Sequence, residues 1–314
     1  MYKFIKMSNF LKIIIGLSLV LLSVLFFLYE PDISVEEAKE TLLKETSQFI
    51  EIDGLDVHYV REGTGFPFLL VHGTSSMLHT WDDWSNLLQD KYEVIRMDIP
   101  AFGLTGPRAD NDYSIEMYVQ FINQFVEKIG VDSFHIAGNS LGGEIVWHYA
   151  LHYPEKVAKM VLISPAGIQQ KDKRLHTLAF RLARMERMTG LVKNFGTKFL
   201  VKRAVKDVYF DNSRIEEEMV EKYYKATLRE GNRGAVISRI NQISSEPEEI
   251  LQKIETPTLV LWGTHDVLIN VLIAEKFRNN LPNGEVIIYP NVGHVAMEEI
   301  PEETVEATLK FLKD

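Results

Sequence analysis

Three residues of this sequence have the types and settings that acyl-transfer chemistry requires: Ser140, Asp266 and His294. Ser140 stands in Gly138-Asn139-Ser140-Leu141-Gly142, with Gly143 beyond. A serine with glycine two residues away on either side fits a sharp strand-to-helix turn, where the chain passes too close to itself for side chains. Such a turn lifts the hydroxyl out of the sheet. It also sets the hydroxyl at a helix N-terminus, whose free N–H groups favour negative charge. An ordinary glycine-rich loop would share the five-residue pattern, so context has to separate the two. The apolar run Phe134-His135-Ile136-Ala137 precedes the motif and a helical pattern over 141–152 follows it.

A serine hydroxyl needs a base, and the base needs an orienting acid. The chain has nine histidines. His294, in Asn291-Val292-Gly293-His294, comes just after the strand-like run Glu285-Val286-Ile287-Ile288-Tyr289. Asp266, in Trp262-Gly263-Thr264-His265-Asp266, comes just after Thr258-Leu259-Val260-Leu261-Trp262. Loops at the carboxyl ends of parallel strands are where sites assemble in such sheets. The order serine, aspartate, histidine along the chain is one of the known serine-hydrolase orders. The oxyanion needs two backbone donors. Leu141 N–H, directly after the serine, is one candidate. Thr74 N–H, in His72-Gly73-Thr74 after the strand ending at Val71, is the other. Each such donor contributes about 3 kcal/mol to the transition state. His72 is read as a residue that holds this loop, not as a second base. Trp81 and Trp84 fit either an acyl pocket or plain core packing.

The elements that must position these residues alternate. Phe49-Ile50-Glu51-Ile52 and Leu55-Asp56-Val57-His58-Tyr59-Val60 flank Asp53-Gly54, which signals a hairpin with a primed turn. Phe68 to Val71, Tyr92 to Met97, Phe134 to Ala137 and Met160 to Ile163 are further strand candidates, with helical pattern over 114–129 and 141–152 between them. Continuous apolar strands alternating with helices indicate an α/β fold, a mainly parallel sheet covered by helices on both faces. Residues 167–249 carry helical pattern and no strong strand signal, which suggests a helical lid inserted between two strands. The core is then 49–166 with 250–314.

Residues 1–30 read as a membrane anchor. Ile13 to Tyr29 is uncharged and almost wholly apolar, and with Phe10 and Leu11 it approaches the ~20 residues of a membrane span. Lys3, Lys6 and Lys12 precede it and Glu30, Asp32, Glu36 and Glu37 follow. That asymmetry leaves the N-terminus cytoplasmic and the catalytic domain exported, to periplasm or exterior. Cleavage as a signal peptide is the alternative, although no small-x-small site stands at Leu28-Tyr29-Glu30-Pro31. Residues 31–48 read as a polar helix or tether opened by Pro31.

Composition narrows the function. The net charge is −10, which argues against a nucleic-acid partner. There is no cysteine, so disulfides, thiolate metal sites and cysteine nucleophiles are excluded. His148 and His152 have the i, i+4 spacing of metal ligands, but no third ligand is evident and no metal is expected. Residues 171–206 carry six lysines and five arginines. Within them Leu175, Leu178, Leu182, Met185, Met188 and Val192 recur at helical spacing, with Arg174, Arg181, Arg184 and Arg187 read on another face. A lid helix with solvated arginines accounts for this pattern. Contact with anionic headgroups is the sharper alternative.

The motifs together resemble the α/β-hydrolase superfamily, in its branch of lid-bearing serine esterases, C–C bond hydrolases and haloperoxidase-like enzymes. The likeness runs from Phe49 to Leu312. It rests on His72-Gly73-Thr74, Asp98-Ile99-Pro100-Ala101-Phe102-Gly103, Gly138 to Gly143, the Asp266 segment and Gly293-His294. Ala101 stands where the family usually has glycine. Relatives that cleave haloalkanes or epoxides carry aspartate where this chain has Ser140. The resemblance therefore implies a cofactor-free serine hydrolase acting on a small ester or lipid-like substrate. Meta-cleavage C–C hydrolysis is the alternative: Ser164-Pro165-Ala166-Gly167 is similar to that group, but Val295 replaces its usual tryptophan. A non-catalytic binding module on this fold would be expected to show a broken set of site residues.

Overall fold

The computed structural model describes residues 9–170 and 198–313. Eight strands form one sheet: β1 (Ser47–Ile52), β2 (Leu55–Glu62), β3 (Phe66–Val71), β4 (Tyr92–Met97), β5 (Phe134–Asn139), β6 (Val157–Ile163), β7 (Thr258–Gly263) and β8 (Gly284–Tyr289). Their spatial order is β1-β2-β4-β3-β5-β6-β7-β8. The two contacts of β2, with β1 and with β4, are antiparallel, and the remaining pairs are parallel. The expected hairpin is present, with Ile52 opposite Leu55. Asp53 and Gly54 turn it at φ 51° and 78°, the left-handed pair that a type I′ turn needs.

The continuous apolar runs are explained by burial on both faces. Along a strand, alternate side chains point to opposite sides. Leu69 and Val71 enter one core cluster with Phe121, Phe125, Trp147 and Phe277. Phe68 and Leu70 enter the other with Trp81, Trp84 and Val305. The helices α4 (Ile115–Lys128), α5 (Leu141–His152) and α9 (Leu272–Asn280) therefore cover the first face. The helices α3 (Asp82–Leu88) and α11 (Pro301–Lys313) cover the second. Trp81 and Trp84 belong to that second core: their rings meet edge-on at 5.2 Å, and Trp84 Nε1–H donates to Thr304 Oγ1 at 2.9 Å.

Between β6 and β7 the described elements are α6 (Lys198–Val208), α7 (Glu217–Leu228) and α8 (Asn232–Asn241). The Leu175 to Val192 stripe and Arg174, Arg181, Arg184 and Arg187 lie outside the described residues. A short helix α10 (Ala296–Glu299) follows His294 and leads into α11.

The segment before the sheet is docked. Ser34, not Pro31, caps the helix α2 (Val35–Leu42), its Oγ accepting Glu37 N–H at 3.1 Å. Ala38 and Leu42 of α2 are buried with Met77, Leu104 and Ala226. Arg233 of α8 donates to Asp32 and to the Glu30 carbonyl, which ties residues 30–34 to the helical insertion. The apolar N-terminal run forms helix α1 (Asn9–Leu28). Among the described residues no helix is long and apolar enough to cross a membrane. The expected span is thus not found there. The side chains of Leu11, Leu21, Leu22, Leu25 and Phe27, all within that run, lie outside the described residues.

Candidate active site

β5 ends at Asn139 and α5 begins at Leu141, so Ser140 alone makes the reversal. It does so at φ 55° and ψ −116°, a conformation that residues with a side chain rarely adopt. The surroundings hold that strain in place. Ser140 N–H donates to Ile163 O at 3.1 Å, and its carbonyl accepts Glu144 N–H at 3.0 Å and Ala166 N–H at 2.9 Å. A Cβ on Gly138 would overlap the Gly142 carbonyl, and one on Gly142 would overlap the Val71 carbonyl. The glycine spacing read from the sequence is therefore a record of β5, α5 and β3 in near contact.

Asp266 and His294 meet as expected. His294 Nδ1–H donates to Asp266 Oδ2 at 2.7 Å, and both side chains are buried. The other carboxylate oxygen, Oδ1, accepts Leu268 N–H at 2.8 Å and Ile269 N–H at 2.9 Å. The aspartate is thereby fixed, and it fixes the imidazole with Nε2 as the free acceptor. The His294 loop is tied to the serine turn: Asn139 Nδ2–H donates to the His294 carbonyl at 3.2 Å. On the other side, His294 N–H donates to Val208 O at 2.7 Å. Glu299 accepts Gly293 N–H at 2.8 Å and Asp211 N–H at 2.8 Å. The insertion's first described helix and the histidine loop are thus stitched together through main-chain groups.

The two expected oxyanion donors flank the serine. Leu141 N–H opens α5. Thr74 follows Gly73, and a Cβ on Gly73 would stand 3.1 Å from Ser140 Cβ. Neither N–H meets a protein acceptor among the described residues. His72 has both ring nitrogens occupied: Nδ1–H donates to Gly73 O at 2.8 Å and Nε2 accepts Ile99 N–H at 3.1 Å. Burial pushes its pKa below the usual histidine range, so it stays neutral and holds the loop.

His148 and His152 do not face one another as ligands. The His148 ring stacks on Trp147 at 3.6 Å, and His152 Nδ1–H donates to the His148 carbonyl at 2.8 Å. Burial lowers the His148 pKa to about 4. Among the described residues no group of three His, Cys, Asp or Glu is placed to hold a metal ion.

Sequence reasoning missed a second serine-histidine-aspartate string. Ser47 Oγ lies 2.7 Å from His58 Nε2, and His58 Nδ1 lies 2.7 Å from Asp98 Oδ2. Asp98 also accepts Leu78 N–H and Leu104 N–H at 2.7 and 2.8 Å. Burial raises its pKa, but His58, His72 and the N–H donors outweigh that and hold it at about 2. Ser47 Oγ already accepts Lys44 N–H at 2.9 Å. These bonds pin the loops that start near residues 77 and 98, which is a scaffolding task. Buried Glu144 of α5 pairs with buried Arg239 of α8 at 3.4 Å. Burial raises the Glu144 pKa to about 7, an effect that Arg239 only partly offsets.

A family model described as the alpha/beta hydrolase fold matches residues 67–301. The chain belongs to this family. Among relatives of this α/β hydrolase, a 2-hydroxy-6-oxo-6-(2'-aminophenyl)hexa-2,4-dienoic acid hydrolase of Metapseudomonas resinovorans is 27% identical, over 88% of this chain and 94% of that protein. Monoacylglycerol lipase abhd6-A of Xenopus laevis is 26% identical, over 80% of this chain and 77% of the lipase. A solved structure described as a membrane phospholipase A and bacterial virulence factor is 27% identical, with a TM-score of 0.74. It covers 96% of this chain and 98% of its own. The fold and these relatives make the chain a hydrolase.

Proposed function

We propose that this α/β hydrolase cleaves carboxylic esters through an acyl-enzyme on Ser140. Ser140 Oγ attacks the carbonyl carbon while His294 Nε2 takes its proton. Asp266 stabilises the imidazolium. Thr74 and Leu141 N–H groups hold the oxyanion. Collapse expels the alcohol, which takes the proton back from His294. Water, deprotonated by the same imidazole, then attacks the acyl-enzyme and releases the acid. No cofactor enters any step. The observation that carries this reading is the 2.7 Å bond between His294 and Asp266, in a loop tied to the residue beside the strained serine. Relatives named monoacylglycerol lipase and membrane phospholipase A support an acyl-lipid or small lipid-like ester as substrate. The helical insertion acts as the lid of the acyl pocket, a role supported by Tyr223 of α7 lying 3.4 Å from Ser76 on the oxyanion loop.

A fluorophosphonate probe tests the mechanism. It is expected to label the wild-type chain on the Ser140 peptide and to leave Ser140→Ala unlabelled. Equal labelling of the variant, label on Ser47, or a folded wild type that takes none would sink the proposal. The first relative above keeps a second reading in view, hydrolysis of a C–C bond in a vinylogous diketone. Turnover of such a diketone at a higher kcat/KM than aryl esters of graded chain length would favour it over the ester reading.

We further propose that α1 seats the chain in a membrane with the catalytic domain exported. Along α1, Phe10, Ile13, Leu17, Leu19, Val20 and Phe26 are exposed, an apolar surface that water does not tolerate at this length. The likeness to a membrane phospholipase A extends over nearly the whole chain. The full chain is expected to stay with membranes through a carbonate wash, and a chain beginning at Pro31 to be released. A full chain found in the wash would overturn the anchor. Vesicle binding by that shorter chain tests contact of the basic sequence 171–206 with headgroups: preference for anionic over neutral vesicles supports it, and equal binding excludes it.

A further inference from the structure

The carboxylate of Glu298, four residues after His294, is the meeting point of three separate segments of the chain. Its Oε1 accepts the Thr80 hydroxyl and, at 2.9 Å, the Tyr223 hydroxyl. Its Oε2 accepts the Tyr209 hydroxyl at 2.5 Å. Tyr223 OH in turn lies 3.4 Å from Ser76 Oγ. The donors come from different parts of the chain. Ser76 and Thr80 belong to the segment that continues the oxyanion loop. Tyr209 follows α6 directly, and Tyr223 is in the middle of α7. Glu298 itself belongs to α10, next to Glu299, whose carboxylate already holds Gly293, Phe210 and Asp211 main-chain N–H groups.

The chemistry of this cluster is unusual for a half-buried carboxylate. None of its bonded partners is a cation. Three hydroxyls bond it, and the nearby charge that acts on it is the acid Asp83. Burial pushes the Glu298 pKa above the ordinary range, which the hydroxyl donors offset only in part. An apolar side chain would fill the space with no such desolvation cost. What the carboxylate adds is direction. It fixes three hydroxyl side chains at once: one on the segment that continues the oxyanion loop, one beside Val208 that holds the His294 N–H, and one on α7 against Ser76. Polar networks of this kind specify a single arrangement when their members are satisfied.

We propose that Glu298 is a positioning residue that locks the oxyanion loop, the α6–α7 part of the insertion and the His294 loop into one reactive arrangement. The kinetic arm of its test rests on the ester-hydrolase reading, and the exchange arm does not. The full chain is compared with Glu298→Ala, Glu298→Gln and Tyr223→Phe. Three quantities are read: kcat and KM on 4-nitrophenyl butyrate, the rate of fluorophosphonate labelling, and amide hydrogen exchange over residues 72–81, 208–212 and 291–297.

Glu298→Ala is expected to lower kcat at least about tenfold with KM changed less than kcat, because small misplacements of reacting groups weigh on the chemical step. Exchange is expected to rise in all three segments together. Glu298→Gln is expected to recover most of kcat, since its amide oxygen still accepts hydroxyls, and Tyr223→Phe to fall between. A folded Glu298→Ala with kcat within twofold of wild type overturns the proposal. So does an exchange increase confined to α10, or a Gln variant as impaired as Ala. If Glu298→Ala does not fold, Thr80→Val and Tyr223→Phe each remove one donor, and unchanged kcat and exchange in both overturn it equally. If the wild type takes no label and cleaves no ester, the ester reading fails, while joint exchange in the three segments still decides the positioning role.

Discussion

Asp266→Asn is expected to lower kcat by about 10⁴, close to 5.5 kcal/mol of barrier, in a protein that remains folded. The geometry dictates which way the new amide would face. Asp266 Oδ1 accepts two main-chain N–H groups, from Leu268 and Ile269. An asparagine oxygen takes over that position, since an amide NH2 there would meet two donors. The NH2 is thereby turned toward His294 Nδ1. A donor at that place makes Nδ1 the acceptor and moves the imidazole proton to Nε2. An Nε2 that carries a proton cannot take one from Ser140. The loss therefore comes from a tautomer and should appear in kcat, with KM little altered. Steady-state kinetics on an aryl ester, beside a thermal melt, measure both. A loss below tenfold in a folded variant would mean that His294 does not act through Asp266.

That prediction rests on residues that were legible before any coordinates. Ser140 and Asp266 each follow a central strand marked by a continuous apolar run, as in β7, where every residue is buried, and His294 follows the apolar edge strand β8. A glycine on each side of the serine adds a steric signature that few other structures require. The Asp53-Gly54 turn was legible for the same reason, since both residues must adopt positive φ. The cross-chain contacts were not. His58 and Asp98 are 40 positions apart, and Thr80 and Glu298 are 218 apart. Nothing periodic in a sequence reports that two distant polar groups share a bond. His58 meets Asp98 because β2 pairs with β4, and Thr80 meets Glu298 because the segment after β3 packs against the helix after β8. The sequence over 31–48 reads as a polar helix or tether, but the docking of α2 escaped for a similar reason. Only Ala38 and Leu42 of that helix are buried, and two apolar residues make no stripe. At the N-terminus hydropathy spoke for a span, yet the described residues contain no helix that meets the requirement.

Gly142→Ala is expected to cost more than about 4 kcal/mol, enough to unfold the domain or displace α5. Two effects oppose each other at this position. Gly142 is the second residue of α5, where alanine is the better helix former by about 1 kcal/mol. The added methyl, however, would overlap the carbonyl oxygens of Val71 and His72. The Val71 carbonyl ends β3 and that of His72 follows it directly, and β3 lies between β4 and β5 in the middle of the sheet. Both carbonyls are main-chain atoms at the end of a paired strand and cannot swing aside as a side-chain tip would. Relief would require α5 to lift from the sheet, and Ser140 would leave with it. Overpacking that moves backbone exceeds the usual 1–3 kcal/mol of core overpacking, so sterics outweigh propensity. Gly234 in α8 is the control. Nothing stands within 4 Å of a Cβ built there, and its φ is not positive, so Gly234→Ala is expected to stabilise by about 0.5–1 kcal/mol. Urea unfolding of both variants measures the contrast. If Gly142→Ala fell within about 1 kcal/mol of wild type, a threshold set by the propensity gain alone, the close approach of β3 and α5 would not be what holds Ser140 in its strained turn.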